Sequence, residues 1–185
     1  MDQAIYRAAL EVCLQRGYNA TTYTEIARRA QVSTPAVYRR WPSKSAMAID
    51  IYQRELNAEV LPEAVSVRDY LVELTRGRIR TWSTPIFRQV VLPLLMDELL
   101  RGSAGHPVRT QTAENRKPIL IRVRHGIAAG ELRADTDPIR LLDLLGGAIS
   151  MPYLFGQDLP DESEAESIVD QLLSGFAGHN QDHAA

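Results

Sequence analysis

Apolar residues recur at three- and four-residue intervals along almost the whole chain, and nowhere alternate with polar ones for long enough to suggest a strand. From Gln3 to about Arg16, Ile5, Ala9, Val12 and Cys13 share one helical face, and Gly17 follows where a left-handed cap would end the helix. Thr22-Tyr23-Thr24-Glu25 has the form of a capping box: the threonine oxygen accepts the Glu25 amide proton, and the glutamate reaches back to the Thr22 N–H. It opens a short helix, Tyr23 to Ala30. Gln31-Val32-Ser33 reads as a turn, with Ser33 capping a third helix from Thr34 to Trp41. Pro35 suits the first turn of that helix, where no N–H is needed, and Pro42 ends it by disfavouring helical backbone at the preceding residue. Two short helices joined by a three-residue turn, with a helix on each side, make a helix-turn-helix arrangement.

The later segments are longer. Ser43 caps a fourth helix that runs on towards Pro62, and Ser66 to Ser83 forms a fifth with Tyr70, Leu71, Leu74 and Ile79 inward. Pro85 to Leu100 reads as a sixth, kinked at Pro93, and Pro107 to Ala129 as a seventh, interrupted at Pro118. Asp137 and Pro138 open an eighth through IRLLDLLGGAISMPYLFG, and the acidic start of DESEAESIVDQLLSGFA complements the positive end of a last helix. The predicted fold is all-α, with about nine helices. Residues 1–48 form an N-terminal three-helix helix-turn-helix domain and residues 49–185 a larger helical domain, with no repeat or low-complexity linker between them. The closing GHNQDHAA reads as a disordered tail.

Composition narrows the class. At 185 residues, 45% hydrophobic and 24% charged, the chain can bury a proper core. Cys13 is the only cysteine, which excludes an internal disulfide and a thiolate-rich metal site, and suits a reducing cytoplasm. It reads as a small buried hydrophobe. No apolar run is long enough to span a bilayer, and the start lacks the basic region of a signal peptide. His106, His125, His179 and His183 are scattered without metal-ligand spacing, no Gly-rich phosphate loop is present, and no nucleophile, base and orienting group stand together. Catalysis, a metal and a cofactor are therefore not expected. The net charge of −2 hides an asymmetry: residues 1–48 carry seven Lys/Arg against three Asp/Glu, a net of +4, and residues 49–185 carry fourteen against twenty, a net of −6. A basic head on an acidic body fits a nucleic-acid-binding module.

The basic excess is densest in TPAVYRRWPSK, Thr34 to Lys44. Val37 and Trp41, four apart, belong in a small core with Ile26 and Ala30, which places Thr34, Pro35, Ala36, Tyr38, Arg39 and Arg40 on or around the other side. A B-form major groove accepts one α-helix. There Thr34 offers a hydroxyl, Pro35 and Ala36 offer apolar surface for a thymine methyl, and Arg39 offers the planar fork that pairs with guanine or straddles a phosphate. Tyr38, Arg40 and Lys44 suit phosphate oxygens, Lys44 from the first turn of the next helix, whose open N–H groups also attract an anion. Thr22, Tyr23 and Thr24, at the start of the preceding helix, are placed to hold the backbone from the other side.

With these residues in view, Ala9 to Met47, ALEVCLQRGYNATTYTEIARRAQVSTPAVYRRWPSKSAM, resembles the DNA-binding domain of TetR/AcrR-type transcriptional regulators. Arg122 to Phe176, with GIAAGELRADTDPIRLLDLLGGAI, resembles the C-terminal ligand-binding domain of one subgroup. The resemblance implies that Thr34–Trp41 is the recognition helix, that Tyr38 and Lys44 grip phosphates, and that the chain is a homodimer whose last two helices pair with their counterparts. It also implies a small-molecule pocket among the middle helices, with ligand binding spreading the heads and releasing double-stranded operator DNA. Candidate interface residues are Leu145, Ile149, Tyr153, Ile168, Leu172, Leu173 and Phe176. Trp82, Phe87, Met96, His125 and Tyr153 are candidate pocket residues for a largely hydrophobic effector. Gln31 stands where the family usually has glycine, and a left-handed conformation there costs about 1 kcal/mol. The function expected is a ligand-responsive repressor on a pseudo-palindromic operator. The alternatives are an activator, or an interaction module without a small effector.

Overall fold

The computed structural model describes residues 2–56, 66–100 and 106–175. The end of the fourth helix towards Pro62, Phe176 and the GHNQDHAA tail lie outside the described residues. Helices make up all the regular structure among the described residues: α1 (Asp2–Ala20), α2 (Tyr23–Ala30), α3 (Thr34–Arg40), α4 (Lys44–Leu56), α5 (Val67–Ser83), α6 (Leu92–Leu100), α7 (His106–Ala128), α8 (Pro138–Leu154) and α9 (Ala165–Gly175). A π-helical segment, Phe87–Val91, precedes α6, and a 3-10 turn, Glu162–Glu164, precedes α9.

Packing gathers the chain into two units, Met1–Glu59 with Thr81–Thr112, and Val60–Arg80 with Ala113–Ala185. In the first, Ile5, Ala9, Val12 and Cys13 from α1 meet Ile26 of α2, Val37 and Trp41 of the α3 end, and Met47 and Ile51 of α4. Phe87, Val90, Val91 and Leu94 belong to the same cluster, so the core of the helix-turn-helix head is completed by residues far along the chain. Each fully buried large side chain contributes about 1.5–3 kcal/mol by leaving water, which makes Trp41 and Ile26 principal anchors of α3 and α2. Cys13 is fully buried, with the Thr21 hydroxyl 3.4 Å from its Sγ. Burial pushes its thiol upward, as an inert core residue requires.

Several local expectations are refined by the structure. Gly17 does break α1, at φ 77°, although one more helical turn follows it. Ser33 stands at the N-cap of α3 in extended backbone but makes no side-chain cap bond; the Ala36 N–H reaches its carbonyl instead, at 2.9 Å. The predicted sixth helix is not a single kinked α-helix. The Leu92 N–H bonds to the Phe87 carbonyl five residues back, and this wider turn sits immediately before Pro93, whose ring and missing N–H disrupt the preceding α turn. Pro118, expected to interrupt the seventh helix, lies inside a continuous α7 on an exposed position, where water can satisfy the carbonyl it leaves open.

In the second unit Leu71, Leu74, Val123, Leu141, Leu145, Ile149 and Val169 are buried. A Cβ on Gly126 would stand 2.9 Å from Val67 Cβ, so only glycine permits α7 to approach the start of α5 this closely. The Val67 N–H donates to Glu131 Oε2 at 2.6 Å, capping α5 from the turn after α7. Ion pairs tie α5 to the α9 end: Arg68 with Asp170 in a two-bonded fork at 2.7 and 2.8 Å, Arg76 with Glu166, and Arg80 with Glu162 at 3.2 Å.

Candidate nucleic-acid interface

The turn between α2 and α3 is fixed by backbone chemistry at both sides. Thr22 is extended and accepts the Glu25 N–H at 3.3 Å, which starts α2. Only half of the expected capping box forms. Glu25 turns away from the Thr22 N–H and holds Arg28 through two bonds, at 3.0 and 2.7 Å, with Arg16 and Arg29 within 4.0 Å. The Arg28 hydrogen bonds, more than the other charges, hold the Glu25 carboxyl below its ordinary range. Gln31 ends α2 in the left-handed conformation, φ 57° and ψ 41°, the one such non-glycine position among the described residues. Val32 N–H then closes onto the Ala27 carbonyl at 3.0 Å, the six-to-one bond of a Schellman motif.

That turn sets α3 with one face on the core. Val37 and Trp41 are buried, and Ala36, expected on the outer side, is only 7% exposed. Pro35, Tyr38 and Arg39 are exposed and Thr34 is half-buried, with Thr22 and Thr24 exposed at the start of α2. Tyr38, 56% exposed, leans edge-on against Tyr23 with ring centroids 4.7 Å apart. Tyr23 itself is buried and its hydroxyl has no hydrogen-bond partner. Burial first, and then the Tyr38 and Tyr18 hydroxyls, push its phenol upward, so it stays neutral. The pair presents Tyr38 outward on a rigid aromatic footing.

The cations of the head are sorted by their partners. Of its six arginines, Arg16, Arg28, Arg29 and Arg40 are ion-paired, whereas Arg7 and Arg39 have no ion pair among the described residues. Lys44 donates to the Asn19 carbonyl at 3.0 Å and sits 4.8 Å above the Tyr18 ring, which moors the start of α4 to the end of α1. Arg40, expected to reach a phosphate, is instead engaged within the protein. Its Nη2 donates to Asp50 Oδ2 at 2.9 Å, and its Nε lies 2.9 Å from Asp2 Oδ1 as an ion contact without hydrogen-bond geometry. The Trp41 indole N–H donates to the same Asp50 oxygen at 3.1 Å. The sequence reading missed Asp2 and Asp50, because Asp50 stands ten residues beyond Arg40 and nothing local links them.

The remaining candidates fall into the separate units. Trp82 and Phe87 lie in the first, their rings 4.5 Å apart, with Met96 40% exposed. His125, exposed, and Tyr153, half-buried, lie in the second. Leu145 and Ile149 are buried in the core of their own unit. Tyr153, Ile168, Leu172 and Leu173 are half-buried. The open apolar positions of α8 and its end are others: Ile139, Leu144, Met151, Leu154 and Phe155, the last 74% exposed. Leu144, Ala148, Met151 and Phe155 follow one another at four, three and four residues, a continuous stripe. Among the described residues no group of three His, Cys, Asp or Glu side chains is arranged to hold a metal. No helix there is long and apolar enough to cross a membrane.

Comparison with known proteins matches residues 5–51 to the N-terminal family model of bacterial regulatory proteins, tetR family, and residues 61–172 to the tetracyclin repressor-like C-terminal domain. An uncharacterised HTH-type transcriptional regulator of Bacillus subtilis, YdeS, is 27% identical over 176 residues, 94% of this chain and 88% of that protein. The DNA-binding transcriptional repressor TetR of Mycobacteroides abscessus is 24% identical over 179 residues, 92% and 90% of the two chains. Among solved structures, the transcriptional regulator FadR from Bacillus subtilis in complex with stearoyl-CoA matches with a TM-score of 0.73 at 17% identity, covering 96% of this chain and 100% of that one.

Proposed function

Since the chain belongs to the TetR family of bacterial regulatory proteins, and is a DNA-binding transcriptional regulator and not an enzyme, we propose that it is a homodimeric repressor that reads a two-fold operator through α3 and is released by a small, largely apolar effector. The observation that carries this reading is the outer face of α3: Thr34, Pro35, Tyr38 and Arg39 stand together, and Arg39 keeps its guanidinium unpaired beside a rigid core. Arg39 is the base reader, with Thr34 and Pro35 beside it. Tyr38, Lys44 and the open start of α2 at Thr22 and Thr24 hold phosphates. Tyr23 serves as the footing for Tyr38, and Ala36 packs inward. The relative named as a DNA-binding transcriptional repressor supports repression over activation. The cytoplasm, where such DNA lies, is its place of action.

The α8 stripe of Leu144, Ala148, Met151 and Phe155 supports dimerisation, because its exposed apolar side chains recur along one face. Ile168, Leu172 and Leu173 on α9, half-buried, are further candidates for the interface. The effector class rests on the fold neighbour that holds stearoyl-CoA, since the Trp82 and Phe87 pair belongs to the packed core of the first unit. Selection of binding sites from a random duplex library decides the first part. The enriched sequence should be two-fold symmetric, with half-site centres about 34 Å apart or a multiple of that. An enriched site with a single asymmetric half would contradict the dimer. Thermal-shift screening of small apolar compounds, followed by operator release, decides the second part; a compound that stabilises the protein yet leaves DNA bound would remove effector control.

A further inference from the structure

Arg39 and Arg40 are sequence neighbours with opposite surroundings. Arg39 is exposed and unpaired among the described residues, while the Arg40 side chain is 22% exposed and held from two sides, by Asp50 on α4 and Asp2 on α1. Asp50 Oδ2 receives both the Arg40 Nη2 and the Trp41 Nε1 protons, and its Oδ1 lies 3.3 Å from Arg54 Nε. One carboxylate therefore collects donors from the last residue of α3, from the residue that caps it and from α4. The guanidinium of Arg40 also lies over the Trp41 ring, 5.1 Å from its centroid.

A phosphate contact adds affinity for every DNA sequence alike, whereas base contacts distinguish one sequence from another. An arginine beside the reading face would ordinarily supply such a contact. Here two carboxylates already neutralise it, and a phosphate that approached Arg40 would meet their negative charge as well. We propose that Asp50, with Asp2, is a specificity-determining residue of the DNA-reading head: it withholds Arg40 from the DNA backbone and pins the C-terminal end of α3, so that Arg39 is held in register. This rests on α3 being the DNA-reading helix. The two carboxylates have separable parts. Asp2, 71% exposed, acts on the charge of Arg40 alone; Asp50 acts on that charge and on the position of α3.

The test uses the full chain, the duplex it enriches from a random library, and a scrambled duplex of the same length and composition, each titrated by fluorescence anisotropy across a salt series. Asp50→Asn keeps the side-chain size but puts a neutral amide in place of the charged oxygen that accepts from both Arg40 and Trp41, so both holds on the end of α3 weaken together. It should bind the scrambled duplex more tightly than the parent, with the slope of log affinity against log salt steeper by about 0.9 per head. The preference for the enriched duplex should fall at least about fivefold, since register at Arg39 loosens. Asp2→Asn should steepen the slope without changing the preference, since the contact of Asp2 is with Arg40 and not with Trp41 or α4. Adding Arg40→Gln to Asp50→Asn should return the scrambled-duplex affinity to the parent value. A residue that merely stabilises the head would weaken both duplexes or neither; that result in Asp50→Asn, or no steepening in Asp2→Asn, would overturn the proposal. If the parent chain enriches no duplex at all, the DNA reading itself fails and this inference with it.

Discussion

Gln31→Gly is a stabilising substitution hidden inside the recognition turn. Gln31 sits at φ 57° and ψ 41°, where a Cβ crowds the following carbonyl at a cost of about 1–2 kcal/mol. Glycine removes that cost and introduces another, because its unfolded chain is freer by about 0.4–1 kcal/mol. The difference leaves a net gain of about 0.7 kcal/mol. No side-chain bond opposes the change, since Gln31 is exposed and its cap interactions all run through the backbone. For a chain of this size the midpoint of thermal unfolding should rise by about 2 °C. Calorimetry of the parent, Gln31→Gly and Gln31→Val supplies an internal scale, because a β-branched residue should be worse than glutamine in the same backbone. A Gln31→Gly protein that melts at or below the parent temperature would refute the left-handed assignment. Operator affinity should stay near the parent value, since the gain lies in the turn and not in a contact.

Other outcomes follow from the same geometry. Thr22→Ala removes the oxygen that accepts the Glu25 N–H and should cost about 1 kcal/mol in denaturant unfolding, while Thr24→Ala, with no cap role, should cost far less. Leu144→Glu together with Phe155→Glu places charge on the α8 stripe and should shift the chain from dimer to monomer in sedimentation equilibrium, without loss of helicity by circular dichroism; a dimer that survives would move the interface elsewhere. The Asp170 carboxyl is held below its ordinary range by the hydrogen bonds of Arg68. A depressed carboxyl contributes stability above its unfolded pKa and loses it as pH falls through the folded value. The α5–α9 link should therefore be intact at neutral pH and fade below about pH 4. Asp170→Asn should flatten that acid limb of a stability-against-pH curve, and an unchanged limb would show the fork to be without weight.

Much of the architecture was legible because it depends on local rules. Gly17, the Thr22 cap, Pro35, Pro42 and the Asp137-Pro138 opening each act within a turn of the backbone, and the helices they bound are present. The register of α3 was legible in part: Val37 and Trp41 are inward as their spacing implies, but Ala36 is small enough to join them, which periodicity alone does not decide. What sequence could not give depends on residues brought together from afar. Glu25 gathers three arginines and so abandons the Thr22 N–H, and Asp2 and Asp50 claim Arg40. Likewise α8 is apolar on nearly every side, so its sequence offers two possible faces. Packing chose Leu145 and Ile149 for the interior and left Leu144, Met151 and Phe155 outside.

The central claim is that α3 reads DNA through Arg39 while Lys44 holds the backbone, and one paired titration reaches it directly. Arg39→Ala and Lys44→Ala are measured at fixed salt against the enriched duplex, against single-base variants of it, and against a scrambled duplex. Arg39→Ala should cost about 1–3 kcal/mol on the enriched duplex and erase the preference at one position of each half-site. Lys44→Ala should weaken all the duplexes alike and lower the salt slope by about 1 per head. Unaltered affinity in both variants, or an Arg39→Ala loss spread evenly over every sequence, would contradict the account.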